Sequence, residues 1–356
     1  MKLIHTADLH LGSKIESKFP ESKSKQRRAE LRDSFARMIE RARELGAEAI
    51  LIAGDVFDTD PATPEDYAFF FGAIKANADL TFLLLHGNHD AGVPFPADLP
   101  NLFTFGGEWR AWEGDGVAVS GIEMTEDNCA ALYDAFSPVP GKTNIVTLHG
   151  GLGSSPAVGT VVLSKLADRG IDYLALGDYH GLKTDKLDAK GVWAYPGCPE
   201  GRGFDETGEK GLLLLTVENG AVKTAFIPHA CRTLRVYDCD VSAAADEYQA
   251  IETARKLIAD ADPKDPIRLY LTGAVSFDRT NLAHNAETRL NDPRKHYFVS
   301  VKDKTTPALD LDAIRKEVSL RGEFLNLLDQ KEGLSDEDRS AILELGLRAL
   351  TGQDVI

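Results

Sequence analysis

The chain has 356 residues, of which 43% are hydrophobic and 27% are charged, so it can form a sizeable core and general disorder is excluded. Its formal net charge of −16 counts against a protein that coats nucleic acid non-specifically, because phosphate affinity comes largely from Lys and Arg. No apolar run reaches the roughly 18 residues of a membrane-spanning helix, and the N-terminus lacks the pattern of a signal peptide. Four scattered cysteines without a Cys-x-x-Cys pair are typical of reduced thiols. We therefore expect a cytoplasmic protein that does not contact a membrane.

Short apolar strands alternate with amphipathic helices through the first part of the chain, which predicts an α/β fold. Apolar residues at spacings of three and four predict helices at 25–45 and 64–75, and a third helix is predicted at 161–168. The predicted strands lie at 2–6, 49–53, 81–85, 117–121, 144–148, 173–176, 211–217 and 221–227.

A change of rhythm near residue 232 predicts a domain boundary. A small α/β module is predicted next, with a helix at 243–261 and strands at 234–241, 267–272 and 296–301. The end of the chain is predicted to be helical, and Ser335 begins the last helix with a Ser-x-x-Asp capping pattern. We therefore expect a main domain at 1–232, a cap domain at 233–305 and a helical C-terminal segment at 306–356.

Side chains that bind hard metal ions follow the predicted strands, usually beside glycine. They are Asp8, His10, Asp55, Asn88, His89, His149, Asp178 and His180. Sites assemble at the C-terminal ends of strands in α/β proteins, and glycine lets the backbone turn sharply there. Any one of these motifs is common in ordinary turns, whereas the ordered set predicts one shared site.

The residue types of this set indicate a pair of metal ions. Carboxylate, imidazole and amide oxygen suit manganese, iron, zinc or magnesium, and the set has no thiolate of the kind that holds structural zinc. Two ions that share one carboxylate, roughly 3.5–4 Å apart, can activate water and hold both the attacking and the leaving oxygen of a phosphate ester.

Four of the motifs occur in the order found in a known enzyme family. They are Asp8-Leu9-His10, Gly54-Asp55-Val56-Phe57-Asp58, Gly87-Asn88-His89-Asp90 and His149-Gly150. In these motifs the sequence resembles the calcineurin-like metallophosphoesterases. The opening segment 5–12 and the segment 195–200, followed by Phe204, Glu206 and 209–211, are similar to those of DNA repair exonucleases of the SbcD type. The resemblance is strong over roughly residues 1–230, and the remainder matches only in general plan.

The resemblance implies a four-layer fold, in which two facing mixed sheets are flanked by helices, with a small α/β cap and a helical tail. It implies hydrolysis by a hydroxide that bridges two ions, with Mn²⁺ favoured over Mg²⁺, Fe²⁺ and Zn²⁺. His89 would bind no metal and would protonate the leaving oxygen or stabilise its charge, a task that suits the near-neutral pKa of histidine. By motif position the first ion would be held by Asp8, His10 and His180, both ions by Asp55, and the second ion by Asn88 and His149.

One position departs from the family pattern. The family usually has Gly-His-x-His where this chain has Gly177-Asp178-Tyr179-His180. Asp178 either replaces an imidazole ligand of the second ion, since oxygen ligands favour harder ions, or orients a ligand without touching the metal. His5 and His86 are expected to pack or to hydrogen-bond ligands rather than to bind metal.

Candidate substrate contacts surround the motifs. Lys14 begins a stretch with an excess of positive charge, which either contacts a DNA backbone or is a solvated helix face. Arg202 either pairs with a phosphate oxygen or forms a salt bridge. Asp58 and Asp90 are expected at the rim of the site.

The C-terminal segment contains more leucine than an isolated surface helix needs, with Leu343, Leu347 and Leu350 in one stripe. SbcD-like nucleases end in helices that bind the coiled-coil base of a large ATPase, so the resemblance implies an SbcC-like partner. The alternative is that the stripe packs on its own cap domain. SbcD-like proteins are commonly dimers, and a homodimer is therefore a further expectation.

Three functions remain open. The resemblance favours a DNA exonuclease subunit of an SbcCD-type repair complex. The second is a phosphodiesterase or phosphatase that acts on nucleotides or other small phosphate esters, which the acidic net charge favours. The third is a degenerate phosphoesterase fold that serves only for docking, and its support is the substitution at Asp178.

Overall fold

The computed structural model describes residues 1–15, 19–58, 63–90, 92–308 and 311–350. It divides into two compact units. The first unit comprises Met1–Arg235 and Lys264–Pro266, and the second comprises Val236–Pro263 and the residues from Ile267 onward. All the candidate site residues lie in the first unit. The finer division at 233–305 and 306–356 stays a prediction.

The first unit alternates strands with helices. Its helices are α1 (Glu21–Leu45), α2 (Pro64–Ala76) and α3 (Leu132–Ala135). Its strands are β1 (Lys2–Thr6), β2 (Ala49–Ala53), β3 (Thr81–Leu85), β4 (Leu102–Thr104), β5 (Arg110–Gly114), β6 (Val117–Gly121), β7 (Thr143–His149), β8 (Gly151–Leu152), β9 (Thr160–Val161), β10 (Tyr173–Gly177), β11 (Lys183–Lys186), β12 (Val192–Tyr195), β13 (Gly211–Glu218) and β14 (Ala221–Pro228).

Two mixed six-stranded sheets organise this unit, with the orders β14-β13-β1-β2-β3-β4 and β11-β12-β10-β7-β6-β5. In the first sheet β1, β2, β3 and β4 run parallel, and in the second β12, β10, β7 and β6 run parallel. The outer strands β13, β14, β11 and β5 pair antiparallel with their neighbours. Parallel neighbours end at the same edge of a sheet, so the residues that follow them come together there.

Apolar side chains of both sheets form one core between them. Leu51 and Leu83 of the first sheet share this core with Val119 and Ile145 of the second, and all four are fully buried. The two sheets therefore pack face to face. The central strand β2 is buried along its whole length, which explains its unbroken apolar sequence.

Helices cover the outer faces of both sheets. Phe35 of α1 contacts Phe70 of α2 and Phe82 of β3, with ring centroids 4.7 and 6.4 Å apart respectively. On the other side, Tyr133 of α3 joins an apolar cluster with Leu174 of β10. Helix, sheet, sheet and helix form the four layers of the predicted fold class, which is confirmed.

The predicted helix at 161–168 is wrong. The chain there forms the short strand β9 and a single turn of 3-10 helix at Leu163–Lys165. Val161 and Val162 are buried and β-branched, and such residues favour extended backbone. Asp168 has a φ of 59°, a left-handed conformation that cannot continue a right-handed helix.

The strands β4, β5, β11 and β12 are absent from the elements predicted from the sequence. The strands β4, β5 and β11 lie at the edges of the sheets, where one side has no strand partner in the sheet order. All four residues of β11 are exposed, and β5 contains Arg110 and Glu113. Such strands carry polar side chains and lack the apolar run that marks a buried strand.

The second unit begins with a three-stranded sheet, in which β15 (Arg235–Asp240) and β18 (Phe298–Asp303) lie on either side of β16 (Pro266–Thr272). Ile251 and Leu269 are fully buried in its core. The elements of the second unit are β15 (Arg235–Asp240), α4 (Glu247–Leu257), β16 (Pro266–Thr272), β17 (Ala274–Val275), α5 (Leu282–Leu290), β18 (Phe298–Asp303), β19 (Thr306–Pro307), α6 (Leu311–Lys316), α7 (Leu320–Gln330) and α8 (Asp336–Leu350).

Among the described residues of both units, none of the helices has the length and apolar character that crossing a membrane requires.

The C-terminal helices α6, α7 and α8 have a small core of their own. Leu347 of the predicted leucine stripe is buried against Ile314 and Leu325, and Leu343 packs against the same cluster. Part of the stripe therefore stabilises the helices themselves. The predicted cap of α8 is confirmed, because the Ser335 hydroxyl accepts a hydrogen bond from the Asp338 N–H at 3.1 Å.

Candidate metal centre

Residues that follow five strands meet at one edge of the two sheets. β1, β2 and β3 are parallel neighbours in one sheet, and β7 and β10 are parallel neighbours in the other. The loops after β1 and β2 are tied together by two backbone hydrogen bonds of 3.0 Å, in which Asp8 donates to the Gly54 carbonyl and His10 donates to the Asp55 carbonyl. These bonds fix the positions of the candidate ligands on the two strands.

The backbone at these ligands adopts conformations that are rare outside glycine. The φ angles are 57° at Asp8, 45° at His10 and 55° at Asp55. Left-handed backbone costs a non-glycine residue roughly 1–2 kcal/mol. At Gly87 a side chain would collide with the Asp55 carboxylate, so only glycine allows β3 to end this close to β2. Strain and close approach together point the ligands into one small space.

The first cluster consists of Asp8, His10 and His180, whose ligand atoms lie within 4.8 Å of one another. The Nε2 atoms of His10 and His180 are 3.1 Å apart. The Nδ1 of His180 lies 2.9 Å from the Glu206 carboxylate and 3.2 Å from the Arg202 Nη2. The carboxylate only accepts hydrogen bonds and so favours a hydrogen on Nδ1, which turns Nε2 towards the cluster. This arrangement leaves His180 ready to coordinate a cation.

The second cluster consists of Asp8, Asp55 and His149, again within 4.8 Å. The His149 Nδ1 donates a hydrogen bond of 2.8 Å to the Ala53 carbonyl, which orients its Nε2 towards the cluster. This Nε2 lies 3.0 Å from the Asn88 Oδ1 and 3.5 Å from the Asp55 Oδ2. Asp8 belongs to both clusters, so the clusters form one continuous site.

The chemistry of this site fits divalent cations. Asp8 and Asp55 are 1% and 2% exposed, and burial raises the pKa of Asp8 to about 7. Burial alone would lower the pKa of His149, but the Asp55 and Asp8 carboxylates raise it to about 9. Buried carboxylates and ring nitrogens that face one another need positive charge between them, which protons or metal ions supply. Carboxylate, imidazole and amide oxygen are the ligands of two-ion sites.

A third cluster of His10, Asp58 and His89 lies at the open side of the site. The His89 Nδ1 is 3.0 Å from Asp58 Oδ1, and the ring meets His10 edge to face with centroids 4.9 Å apart. The His89 side chain is 31% exposed, whereas His10 is 1% exposed. His89 can therefore reach a bound substrate while its ring stays next to the Asp58 carboxylate.

The remaining predicted site residues lie around these clusters. Asp178 belongs to none of the three clusters found among the described residues, and its backbone N–H donates to Asp8 Oδ1 at 3.0 Å. Its role as a ligand therefore stays a prediction. Arg202 binds the Glu206 carboxylate at 2.6 Å and lies 3.8 Å from Asp58, and the Lys14 side chain is exposed.

Three supporting residues complete the site in ways that the sequence motifs did not define. Glu206 holds both His180 and Arg202; burial would raise its pKa, but these partners lower it, so it is ionised. The prediction of Asp90 at the rim is wrong, because the residue is fully buried. Its carboxylate is satisfied there by hydrogen bonds from the Val56, Phe57 and Gly87 N–H groups. His5 packs in the core and its Nδ1 lies 2.9 Å from the hydroxyl of Tyr173, in agreement with the predicted packing role.

The calcineurin-like phosphoesterase family matches residues 1–207, more than half of the chain. The chain belongs to this family. Its clusters of Asp and His are candidate ligands for the divalent metal ions that the family uses.

Curated proteins similar to this phosphoesterase match it at low identity. The uncharacterized metallophosphoesterase YhaO of Bacillus subtilis is 28% identical over 246 residues, which cover 64% of this chain and 60% of YhaO. The DNA double-strand break repair protein Mre11 of Haloferax volcanii is 27% identical over 287 residues, which cover 75% of this chain and 60% of Mre11. One component of the nuclease SbcCD of Escherichia coli is 35% identical over 95 residues, which cover 26% of this chain and 22% of that component. The chain thus spans about 60% of the length of the first two relatives.

Proposed function

We propose that this phosphoesterase is a DNA nuclease that works with two divalent metal ions, with Mn²⁺ favoured at both positions. The observation that carries the proposal is the joined pair of ligand clusters, which share Asp8 and have His89 at their open side. Two of the similar proteins are named as a DNA double-strand break repair protein and a component of a nuclease, which supports DNA as the substrate.

The motif positions and the two clusters suggest how the chain would hold the ions. Asp8, His10 and His180 would bind the first, and Asn88 and His149 would bind the second. Asp55 would serve both, since its Oδ2 lies 3.7 Å from the His10 Nε2 and 3.5 Å from the His149 Nε2. Asp178 would either be a further ligand of the second ion or orient the ligand Asp8 through the hydrogen bond from its N–H. Oxygen atoms make up much of this set, which favours Mn²⁺ or Mg²⁺ over softer ions.

The bound ions would supply the positive charge that activates water and neutralises the phosphate. The protein contributes position and proton transfer. Asp58 is held ionised because the neighbouring His10 lowers its pKa, and its carboxylate lies 3.0 Å from the His89 Nδ1, where it would attract a proton on that ring. His89 would then give a proton to the sugar oxygen as it leaves the phosphorus. Arg202, held by Glu206, would face a phosphate oxygen from the same side.

Surface features next to the site are suited to a nucleic acid strand. Tyr179 lies between Asp178 and His180 in sequence, and its ring is 52% exposed. Lys183 and Lys186 are exposed on the adjacent strand β11. An exposed aromatic ring beside cations is the combination that holds single strands without reading their sequence. Lys14 is a further candidate contact at the start of the basic stretch.

An ATPase partner is part of this proposal. Val318, Leu320 and Leu327 of the C-terminal helical region are strongly exposed, although Leu347 is used within the helices. Exposed leucine on amphipathic helices suits docking on a coiled coil. The proposed partner is a large coiled-coil ATPase of the SbcC type, in a cytoplasmic complex in which the phosphoesterase forms a homodimer.

Nuclease assays on linear duplex and single-stranded DNA test the proposal. Wild type and His89→Ala are compared with Mn²⁺, Mg²⁺ or a chelator. We expect Mn²⁺-dependent degradation that the variant loses. The proposal is wrong if DNA stays intact while small phosphodiesters are hydrolysed with a dependence on His89. That result would support the alternative function on nucleotides or other small esters, which the net charge of −16 favours.

A further inference from the structure

A cavity of about 550 Å³ opens directly beside the second ligand cluster. His149 belongs both to the cluster and to the wall of this cavity, and Asn88, whose Oδ1 lies 3.0 Å from the His149 Nε2, also lines it. A group attached to a phosphate at the clusters would therefore enter the cavity on the side of these two residues. The volume lies within the range of pockets that bind small organic ligands, roughly 300–1,000 Å³.

One wall of the cavity is built around His86, which the proposed reaction does not use. Its Nδ1 contacts the Glu123 carboxylate, and its Nε2 lies 2.9 Å from the Val93 carbonyl. The Phe95 ring stacks on the imidazole at a centroid distance of 3.5 Å and an interplanar angle of 9°. Because both ring nitrogens face hydrogen-bond acceptors and one ring face is covered, this wall is held in a single arrangement.

The rest of the lining is mainly apolar. Ile122 is buried, Met124 is partly buried, and Val158 is 51% exposed at the side that faces solvent. Gly159 adds a surface without a side chain. A flat apolar group that carries a few polar atoms matches such a lining better than a second charged phosphate does.

We propose that this cavity binds the nucleoside attached to the scissile phosphate, with the base between the apolar lining and the wall formed by His86, Glu123 and Val93. The inference rests on the proposed phosphodiesterase site but not on a polymeric substrate. It gives His86 and Glu123 a positioning role and makes the neighbouring nucleoside part of substrate recognition. The cavity would then contribute to binding rather than to the chemical step.

Two diesters with the same leaving group distinguish an effect of a substitution on this subsite from an effect on the metal centre. They are the p-nitrophenyl ester of thymidine monophosphate and methyl p-nitrophenyl phosphate, which differ in the group that would enter the cavity. The main variant is Val158→Trp, because this position is exposed and tolerates bulk. Met124→Trp is a second variant, and Val236→Trp, at an exposed position of the other unit, is the matched control.

We expect Val158→Trp to lower kcat/KM for the thymidine ester about tenfold through KM, while the methyl ester changes less than about twofold. Equilibrium dialysis with Mn²⁺-loaded protein gives a second readout. Wild type should bind thymidine monophosphate about tenfold more tightly than deoxyribose phosphate, and the tryptophan variant should bind both alike.

An equal loss on both esters would overturn the inference, since it would mean that tryptophan blocks the metal centre itself. No change on either ester in both variants would also overturn it. The outcome for DNA is independent. If the variants affect the thymidine ester selectively but DNA is not cut, the subsite stands and the proposed nuclease function fails. If DNA is cut and the ratio of the two esters is unchanged, the nuclease function stands and the subsite fails.

Discussion

The Nε2 atom of His10 lies 3.1 Å from the Nε2 atom of His180, although 170 positions separate the two residues in the chain. The contact with Glu206 favours a hydrogen on the opposite ring nitrogen of His180. Two ring nitrogens at this distance can share a hydrogen bond in the metal-free protein or coordinate one cation. The Glu206 carboxylate, which holds the His180 ring in place, is therefore as important for metal binding as His180 itself.

Glu206→Ala should weaken binding of the first metal ion. Loss of the carboxylate frees the His180 ring and releases Arg202, and we expect Mn²⁺ affinity to fall about 10–100-fold. Calorimetric titration of the metal-free protein measures this. Glu206→Gln keeps an acceptor for His180 and should retain more affinity than the alanine variant. Glu209→Ala changes an exposed neighbouring carboxylate and should bind Mn²⁺ like wild type, and weakening there would contradict the assignment.

Binding of metal ions should release protons, and the affinity should increase as the pH rises from 6 to 8. This range extends about one pH unit on either side of the pKa of Asp8. The pKa of Asp8 is about 7 in the metal-free protein because of burial, so below that pH a proton occupies the ligand. Above it the carboxylate is ionised and available, while the His149 ring, whose pKa is about 9, still has to release a proton before it can bind an ion. Titrations in buffers of different ionisation enthalpy measure the number of protons released. A constant affinity over this range, without proton release, would show that Asp8 is not protonated in the empty site.

His89→Ala should reduce turnover while both metal ions remain bound. The residue belongs to the cluster at the open side and lies 3.0 Å from Asp58. Loss of a general acid costs about 10²–10⁴-fold in rate, and the loss should be smaller for a p-nitrophenyl leaving group that needs no proton. Steady-state assays with both kinds of ester and metal analysis of the purified variant measure this. His284→Ala alters an exposed histidine and serves as the control. An equal loss for both leaving groups would argue against proton donation.

Glu200→Ala should destabilise the first unit. Its carboxylate binds the fully buried Arg27 at 2.9 Å and accepts the Cys231 N–H at the same distance. Removal leaves a buried charge with fewer partners, which costs about 3 kcal/mol in the free energy of unfolding. Glu44→Ala breaks an exposed pair with Arg41 and should cost less than about 1 kcal/mol. Urea unfolding of both variants makes the comparison, and equal values would show that the buried pair has no special role.

Tyr179→Ala should weaken the binding of single-stranded DNA. Stacking of a base on an aromatic side chain contributes about 1–3 kcal/mol, which corresponds to a change in Kd of about 5-fold to 150-fold. Fluorescence anisotropy with a labelled oligonucleotide in Ca²⁺ measures binding without rapid cleavage. Tyr179→Phe should retain affinity, and Tyr248→Ala, at an exposed position of the second unit, should have no effect. Unchanged affinity for the alanine variant would remove Tyr179 from the DNA path.

The sequence predicts the central strands and the residues that follow them, because an apolar run that ends in Asp or His can be recognised within a few consecutive residues. The positions of Asp8, Asp55 and His149 follow from this pattern. Glu206 could not be assigned in the same way, since its role depends on a contact with His180 that forms only in the folded chain. The same limit applies to Glu123, whose contact with His86 joins segments that are distant in sequence. Edge strands such as β11 were missed because water, rather than packing, determines their composition.

The left-handed backbone at Asp8, His10 and Asp55 also bears on how this protein can be engineered. Glycine at any of these positions would relieve conformational strain of roughly 1–2 kcal/mol and would delete a proposed ligand in the same step. Selection of a variant library for heat resistance alone would therefore enrich inactive proteins. A library for a thermostable catalyst must instead keep these three residues constant, so that any gain in heat resistance comes from substitutions at other positions.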